Sequence, residues 1–259
     1  MNNKIKNLIP YYEEPNIKIY CGDCLEVMKE FPDKYFDCVI TSPPYNMRLH
    51  IRDGGYIDRR EFGGHFSIKY KHFQDGMPMD KYYKFHSNCL KEMLRISDIV
   101  FWVVQIVTGS KEALFNIIGD FSKQIRDIII WDKGHGQPAI NKGVLNRGYE
   151  MIIIFENGPA GRTFNKYYFN RGELQDVWRF KRDRAINEHR AVFPVGLVKK
   201  ILYNWTRSGD TILDPFLGSG ITLRACKDLG RKCIGIEISQ EYCDIAVKRL
   251  GQEVLNFNE

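Results

Sequence analysis

Short apolar runs rich in β-branched residues recur along this chain, separated by stretches with helical spacing. That alternation limits the fold more than any other feature. Seven runs stand out, at 17–21, 36–41, 99–106, 128–131, 149–155, 211–214 and 233–238. Most are apolar at successive positions, as expected of strands covered on both faces. Between them, Asp80 is placed to cap a helix that buries Phe85, Cys89, Leu90, Met93 and Leu94. A second helix passes through Leu223 and Leu229 and stops at Gly230, a residue suited to a C-terminal cap. Ser239 precedes a third, which carries Ile245, Val247 and Leu250. Strands and helices in this order predict an α/β fold with a doubly wound, mostly parallel sheet. With 259 residues and 44% hydrophobic composition, the chain can bury one core of that kind, so a single domain over residues 1–259 is expected.

Several classes are excluded early. The longest apolar run, 99–107, contains Gln105 and is far shorter than the roughly 20 residues of a membrane-spanning helix. The opening residues are polar and lack the apolar core of a signal peptide, so a cytoplasmic protein with no membrane partner is expected. The seven cysteines are odd in number and scattered through apolar stretches, as reduced core residues would be. Cys21 and Cys24 form a C-x-x-C, but no second ligand pair accompanies them at zinc-site spacing, and no metal is expected.

The net charge of +6 is mildly basic and compatible with a polyanionic partner. The densest basic cluster is Arg179, Lys181, Arg182, Arg184 and Arg190, which a solvated face would also explain. It overlaps one of three stretches with no regular pattern, 46–78, 133–147 and 157–188. Loops this long in a compact domain are either functional or plain insertions. Residues 46–78 and 157–188, the latter with Trp178 and Phe180 among its basic residues, are the candidates for recognising something large.

Two stretches carry chemistry. In TILDPFLGSGITLRA a strand ends at Asp214, a turn follows with Phe216, Gly218 and Gly220, and a helix begins. Glycines there let a ligand approach the backbone beside a helix N-terminus. A second strand then ends at Glu237, close to the spacing at which an acidic residue meets a ribose hydroxyl in nucleotide-binding α/β folds. The turn does not match G-x-G-x-x-G, and a bare glycine turn can equally be structural. In YFDCVITSPPYN an apolar strand runs into Thr41, Ser42, Pro43, Pro44 and Tyr45. Two prolines hold the backbone rigid and leave carbonyls as acceptors, Ser42 adds a hydroxyl, and Tyr45 a flat face. Such a group suits an amino group on a planar base. Taken alone, S-P-P is a strand-ending turn; the two stretches together are more specific.

Together they resemble the motifs of the amino-group DNA methyltransferases. That family carries (D/N/S)-P-P-(Y/F/W) for catalysis and F-x-G-x-G for S-adenosylmethionine, which stand here as Ser42-Pro43-Pro44-Tyr45 and Phe216-Leu217-Gly218-Ser219-Gly220. The catalytic motif comes first, an order similar to the β group of the family. The resemblance, covering about residues 17–250, implies further roles. Asp23, in Tyr20-Cys21-Gly22-Asp23, would face the cofactor adenine, and Glu237 its ribose. Thr41 and Asp214 would join the cofactor site. His189, Phe193 and Pro194, in His189-Arg190-Ala191-Val192-Phe193-Pro194, would line its methionine end; Arg190 stands where the family has proline. Arg147-Gly148-Tyr149-Glu150 resembles a segment near the target base. The fold implied is a seven-stranded sheet with one antiparallel strand. Plainer readings remain open: Asp23 as a turn residue, and Phe193-Pro194 as packing ahead of a helix.

The reaction implied is transfer of the S-adenosyl-L-methionine methyl group to an exocyclic amine of double-stranded DNA, with the base flipped out of the stack. Ser42 and the Pro43 carbonyl would accept amine hydrogens while Tyr45 stacks on the base. S-P-P-Y is typical of enzymes acting on the N4 amine of cytosine, which is the expected target; the N6 amine of adenine is the alternative. An RNA or protein amino-group methyltransferase, or a silent nucleic-acid-binding module, are readings from further away. The resemblance also allows a homodimer and an accompanying restriction endonuclease.

Overall fold

The computed structural model describes residues 8–46, 51–52, 55–56, 76–137, 143–158, 161–181 and 194–251. In chain order the strands are β1 (Tyr12–Glu14), β2 (Ile17–Cys21), β3 (Phe36–Thr41), β4 (Ile51–Arg52), β5 (Gly55–Tyr56), β6 (Ser97–Val104), β7 (Ile125–Gln137), β8 (Arg147–Glu156), β9 (Val177–Arg179), β10 (Thr211–Asp214) and β11 (Lys232–Glu237). The helices are α1 (Cys24–Lys29), α2 (Met79–Ile96), α3 (Lys111–Asp120), α4 (Val195–Trp205), α5 (Ile221–Asp228) and α6 (Gln240–Leu250).

All seven expected strands form, and they make the middle of one sheet in the order β1-β2-β11-β10-β3-β6-β8-β7-β9. Of these seven, only β8 runs antiparallel to its neighbours. The described sheet has nine strands rather than seven, because β1 adds antiparallel to β2 and β9 adds parallel to β7. Each of these edge strands has three residues, too short to show a periodicity. β4 and β5 form a separate two-stranded ribbon.

The unbroken apolar runs are explained by burial on both sides. Along β6, Ile99, Phe101 and Val103 enter one core, while Val100, Trp102 and Val104 enter the other. Helices α1, α2 and α3 cover the second face, and α4, α5 and α6 cover the first. Each large apolar side chain buried this way contributes about 1.5–3 kcal/mol of transfer free energy.

The helix ends differ in part from expectation. Gly230 does close α5. It takes φ +67°, its amide bonds the Lys227 carbonyl, and the Arg231 amide reaches back to Cys226. That pair of bonds satisfies the last carbonyls of the helix. Asp80, however, does not cap α2. Pro78 holds the cap position and Asp80 lies in the first turn, where its charge favours the positive end of the helix dipole. Ser239 stands at the cap of α6 but makes no side-chain cap bond.

The long stretches are also more regular than expected. β7 reaches Gln137 and β8 starts at Arg147, so both ends of the 133–147 stretch are strand. Residues 157–188 contain β9, whose Trp178 is 1% exposed and packs in the core, with Phe180 partly buried against the same cluster. The aromatic residues among the basic ones therefore serve the core, because β9 is a sheet strand with one face covered. Among the described residues no helix is long and apolar enough to cross a membrane. Much of 46–78, and residues 182–193 with Arg182, Arg184, His189, Arg190 and Phe193, lie outside the described residues.

Candidate active site

The chain leaves β3 through α2 toward β6, and leaves β10 through α5 toward β11, on the opposite side. Between two such neighbours a crevice opens at the carboxyl ends of the strands. Both chemical stretches arrive there. Residues 42–45 follow β3, and residues 215–220 follow β10.

A buried carboxyl joins the two. Asp214 is 1% exposed and accepts hydrogen bonds from the Thr41 hydroxyl at 2.7 Å, the Thr222 hydroxyl at 2.6 Å and the Phe216 amide at 3.2 Å. Burial pushes its carboxyl up to about 6, against the pull of those three donors. Thr41 and Asp214 are turned to each other rather than to an open surface. Their bond ties the strand carrying Ser42 to the strand carrying the glycine turn.

In that turn Gly218 has φ +52° and Gly220 φ +82°. The two glycines differ in purpose. A Cβ on Gly220 would lie 2.8 Å from the Ala246 Cβ on α6, so this glycine admits the helix. A Cβ on Gly218 would meet nothing within 4 Å, so this one borders open space. Glu237 straps the turn in place, accepting from the Gly218 amide at 2.8 Å and the Ser239 amide at 3.0 Å. Asp23 follows the adjacent strand β2, and the Gly22 amide bonds the Glu237 carbonyl at 2.9 Å. Asp23 itself caps α1, taking the Leu25 amide at 2.8 Å and the Glu26 amide at 3.3 Å. Two strand-end carboxylates beside a glycine turn that borders open space are an acceptor set that fits the hydroxyl and amino groups of a nucleoside-bearing ligand.

Behind the turn, the Phe216 ring stands 6.1 Å from Phe85 and 6.2 Å from His86. His86 is fully buried, and the lack of solvation lowers its pKa to about 3, so the ring is neutral. Pro194 is buried at the start of α4.

The 42–45 segment is held from several sides. Tyr82 on α2 donates to the Pro44 carbonyl at 2.8 Å, so that carbonyl is already engaged, contrary to the expectation of two open acceptors. Asn46, 1% exposed with φ +53°, closes the segment. Its side chain donates to the carbonyls of Met77 and Gly109, both at 2.9 Å, and accepts from the Gly76 amide at 2.7 Å. Asparagine tolerates this left-handed conformation better than most residues. The Ser42 hydroxyl lies 3.0 Å from the Tyr45 hydroxyl, which donates to Glu150 Oε2 at 2.8 Å. Glu150 Oε1 in turn accepts from Lys133 Nζ at 3.2 Å, in an ion pair with side chains only 3% and 6% exposed. Breaking such a buried pair by removing one partner costs about 3–5 kcal/mol.

Glu150 reaches this edge because β8 is antiparallel, and Lys133 because β7 runs with β6 and carries it there. The first residues of β8 stand where its neighbours end, and Glu150 pairs with Trp131, two residues before Lys133. The resemblance of Arg147-Gly148-Tyr149-Glu150 pointed toward Glu150. For Lys133 the one signal was a charge two residues after the apolar run 128–131. Tyr82 and Thr222 gave no signal, since each looks like an ordinary helical residue. Cys21 and Cys24 part company: Cys24 lies 3.9 Å from Cys89, while Cys21 lies against Cys243. Among the described residues, no three His, Cys, Asp or Glu side chains gather as a metal site.

An α/β sheet with a proline-rigid acceptor segment beside a glycine turn defines a class, and comparison with known families agrees. The chain belongs to the N6/N4 family of DNA methylases, whose model matches residues 36–248. As a member it is an S-adenosylmethionine-dependent DNA methyltransferase acting on an amino group. Relatives include the type II methyltransferase M.BglII of Bacillus subtilis, 29% identical over 97% of this chain and 74% of that protein. The type II methyltransferase M.BamHI of Bacillus amyloliquefaciens is 27% identical over 96% of this chain and 60% of that protein. Among solved structures, the cytosine-N4-specific PvuII DNA methyltransferase superposes with a TM-score of 0.70 at 17% identity, over 96% of this chain and 92% of that one. The M1.HpyAVI–SAM complex gives 0.59 at 21% identity, over 90% of this chain and all of that one.

Proposed function

We propose that this protein methylates the N4 amine of cytosine in duplex DNA. The observation that carries the reading is the Thr41–Asp214 bond, which ties the strand before Ser42 to the strand before Gly218 and so supports one shared crevice. S-adenosylmethionine supplies, when bound, an electrophilic methyl group. Asp23, Glu237 and the Gly218 backbone would hold it, with His189, Phe193 and Pro194 toward its methionine end.

An exocyclic amine is a poor nucleophile, because its lone pair is delocalised into the ring. Ser42 Oγ and the Pro43 carbonyl accept its hydrogens, which favours a lone pair directed out of the ring plane. Tyr45 presents its ring to the flipped base, with its hydroxyl anchored on Glu150 so that the plane of the ring is set. Rate enhancement then comes from positioning and from dipoles oriented in advance. The choice of cytosine rests on the serine at position 42, as in the S-P-P-Y enzymes, and is supported by the likeness to the cytosine-N4-specific PvuII enzyme. Residues 46–78 and 157–188 would read the duplex. A cognate restriction endonuclease and a homodimer fit the same reading, as does a cytoplasmic setting.

Nucleoside mass spectrometry of DNA treated with the purified protein tests the target. N4-methylcytosine is the expected product. N6-methyladenine without it moves the target to adenine and leaves the family assignment standing.

A further inference from the structure

We infer that Glu150, held by Lys133, dictates the direction of the hydroxyl hydrogens at Tyr45 and Ser42, so that Ser42 presents only lone pairs to the target amine. The inference rests on the assignment of Ser42 to that amine.

A carboxylate accepts hydrogen bonds and cannot donate. Tyr45 has one hydroxyl hydrogen, and it goes to Glu150 Oε2 at 2.8 Å. The 3.0 Å contact between the Tyr45 and Ser42 hydroxyls therefore takes its hydrogen from Ser42. With that hydrogen committed, Ser42 Oγ has lone pairs left for a base. A serine without this constraint is ambivalent, since its hydroxyl can turn and donate. A hydrogen aimed at an amine hydrogen would repel it. Lys133 completes the device, because its ammonium, 3.2 Å from Oε1, keeps the carboxylate fixed in the sheet edge. Glu150 is thus a positioning residue that acts through two hydroxyls.

The polarity can be reversed by substitution. In Glu150→Gln, Lys133 can only donate and so demands the amide oxygen. The amide NH2 is left facing Tyr45. Tyr45 then donates to Ser42, and Ser42 donates toward the base. Combining Lys133→Met with Glu150→Gln frees the amide to offer its oxygen to Tyr45 again. Combining Lys133→Met with Glu150→Leu is equally uncharged but removes the acceptor at position 150, so Tyr45 donates to Ser42.

The experiment measures turnover with tritiated S-adenosylmethionine on unmodified genomic DNA from a methylation-deficient host. Cofactor affinity is followed by calorimetry and folding by thermal melts. Glu150→Gln should lose about 100-fold in kcat, the scale of one misdirected hydrogen bond at a reacting group, with cofactor affinity unchanged. Lys133→Met/Glu150→Gln should recover at least about tenfold of that loss. Lys133→Met/Glu150→Leu should melt like the other double variant and stay slow. Equal turnover in the two double variants would overturn the inference, as would wild-type turnover in Glu150→Gln. Ser42→Ala separates the two levels. If it is slow while the Glu150 series is flat, only the inference fails; if it is as fast as wild type, the assignment of Ser42 to the amine fails as well.

Discussion

Asp214 shows how one buried group links the two motifs and what that costs. Its carboxyl is raised from 3.8 to about 6, chiefly by burial. A folded-state pKa above the unfolded value means that the native protein binds the proton more tightly. The stability Asp214 contributes is therefore complete below about pH 4 and is lost as pH rises through 6. A shift of this size corresponds to about 3 kcal/mol. Urea unfolding of the wild type and Asp214→Asn between pH 4 and 7 measures it. The stability of the wild type relative to the variant should fall by that amount as pH rises. A difference that grows with pH would mean that the hydroxyl donors outweigh burial. The residue was legible as a strand-end acid beside a glycine turn, but its bond to Thr41 was not, because hydrogen-bond pairing across 173 positions leaves no local pattern.

At the scale of the element, α5 carries a glycine at each end with a different task. Gly218, ahead of the helix, borders open space with φ +52°, whereas Gly230, after it, closes the last turn with φ +67°. Gly218→Val fills the open space beside the turn, and calorimetry should detect no binding of S-adenosylmethionine. Gly230→Ala forces a side chain into a left-handed position, with its Cβ 3.0 Å from Ser208 Oγ. It should lose about 1–2 kcal/mol of stability and keep its cofactor affinity. Wild-type affinity in the first variant, or weakened affinity in the second, would mean the turn has been assigned to the wrong task. The direction of β8 belongs to this scale too. Its apolar run predicted a strand, and only the pairing with β6 and β7 brought Glu150 to the carboxyl edge of its neighbours.

Among the described residues, the two faces of the sheet are covered by helices, which leaves the carboxyl edge of the strands as the proposed place for DNA to be met. Residues 157–188 were expected to meet it, and part of that expectation changed when Trp178 proved to be core. The charge remains. Arg182 and Arg184 are proposed phosphate contacts, and the test is the salt dependence of DNA binding. Replacing both with Gln should weaken binding and make the slope of log affinity against log salt shallower by about 2. An unchanged slope would place the phosphate contacts on other residues.

Local sequence determined the strands, the two chemical segments and the class of reaction. Strand-forming runs, paired prolines and a glycine turn impose their conformations through neighbouring atoms, which a sequence displays directly. Edge strands β1 and β9 escaped because three residues define no period. The tertiary structure alone decided which distant groups meet: Thr41 with Asp214, and Ser42 through Tyr45 with Glu150 and Lys133. Those meetings depend on the order and direction of strands, and so on how the whole chain buries both faces of its sheet. A buried carboxyl or ammonium is tolerated only where that packing delivers a partner, so its partner could be read only once the fold was complete.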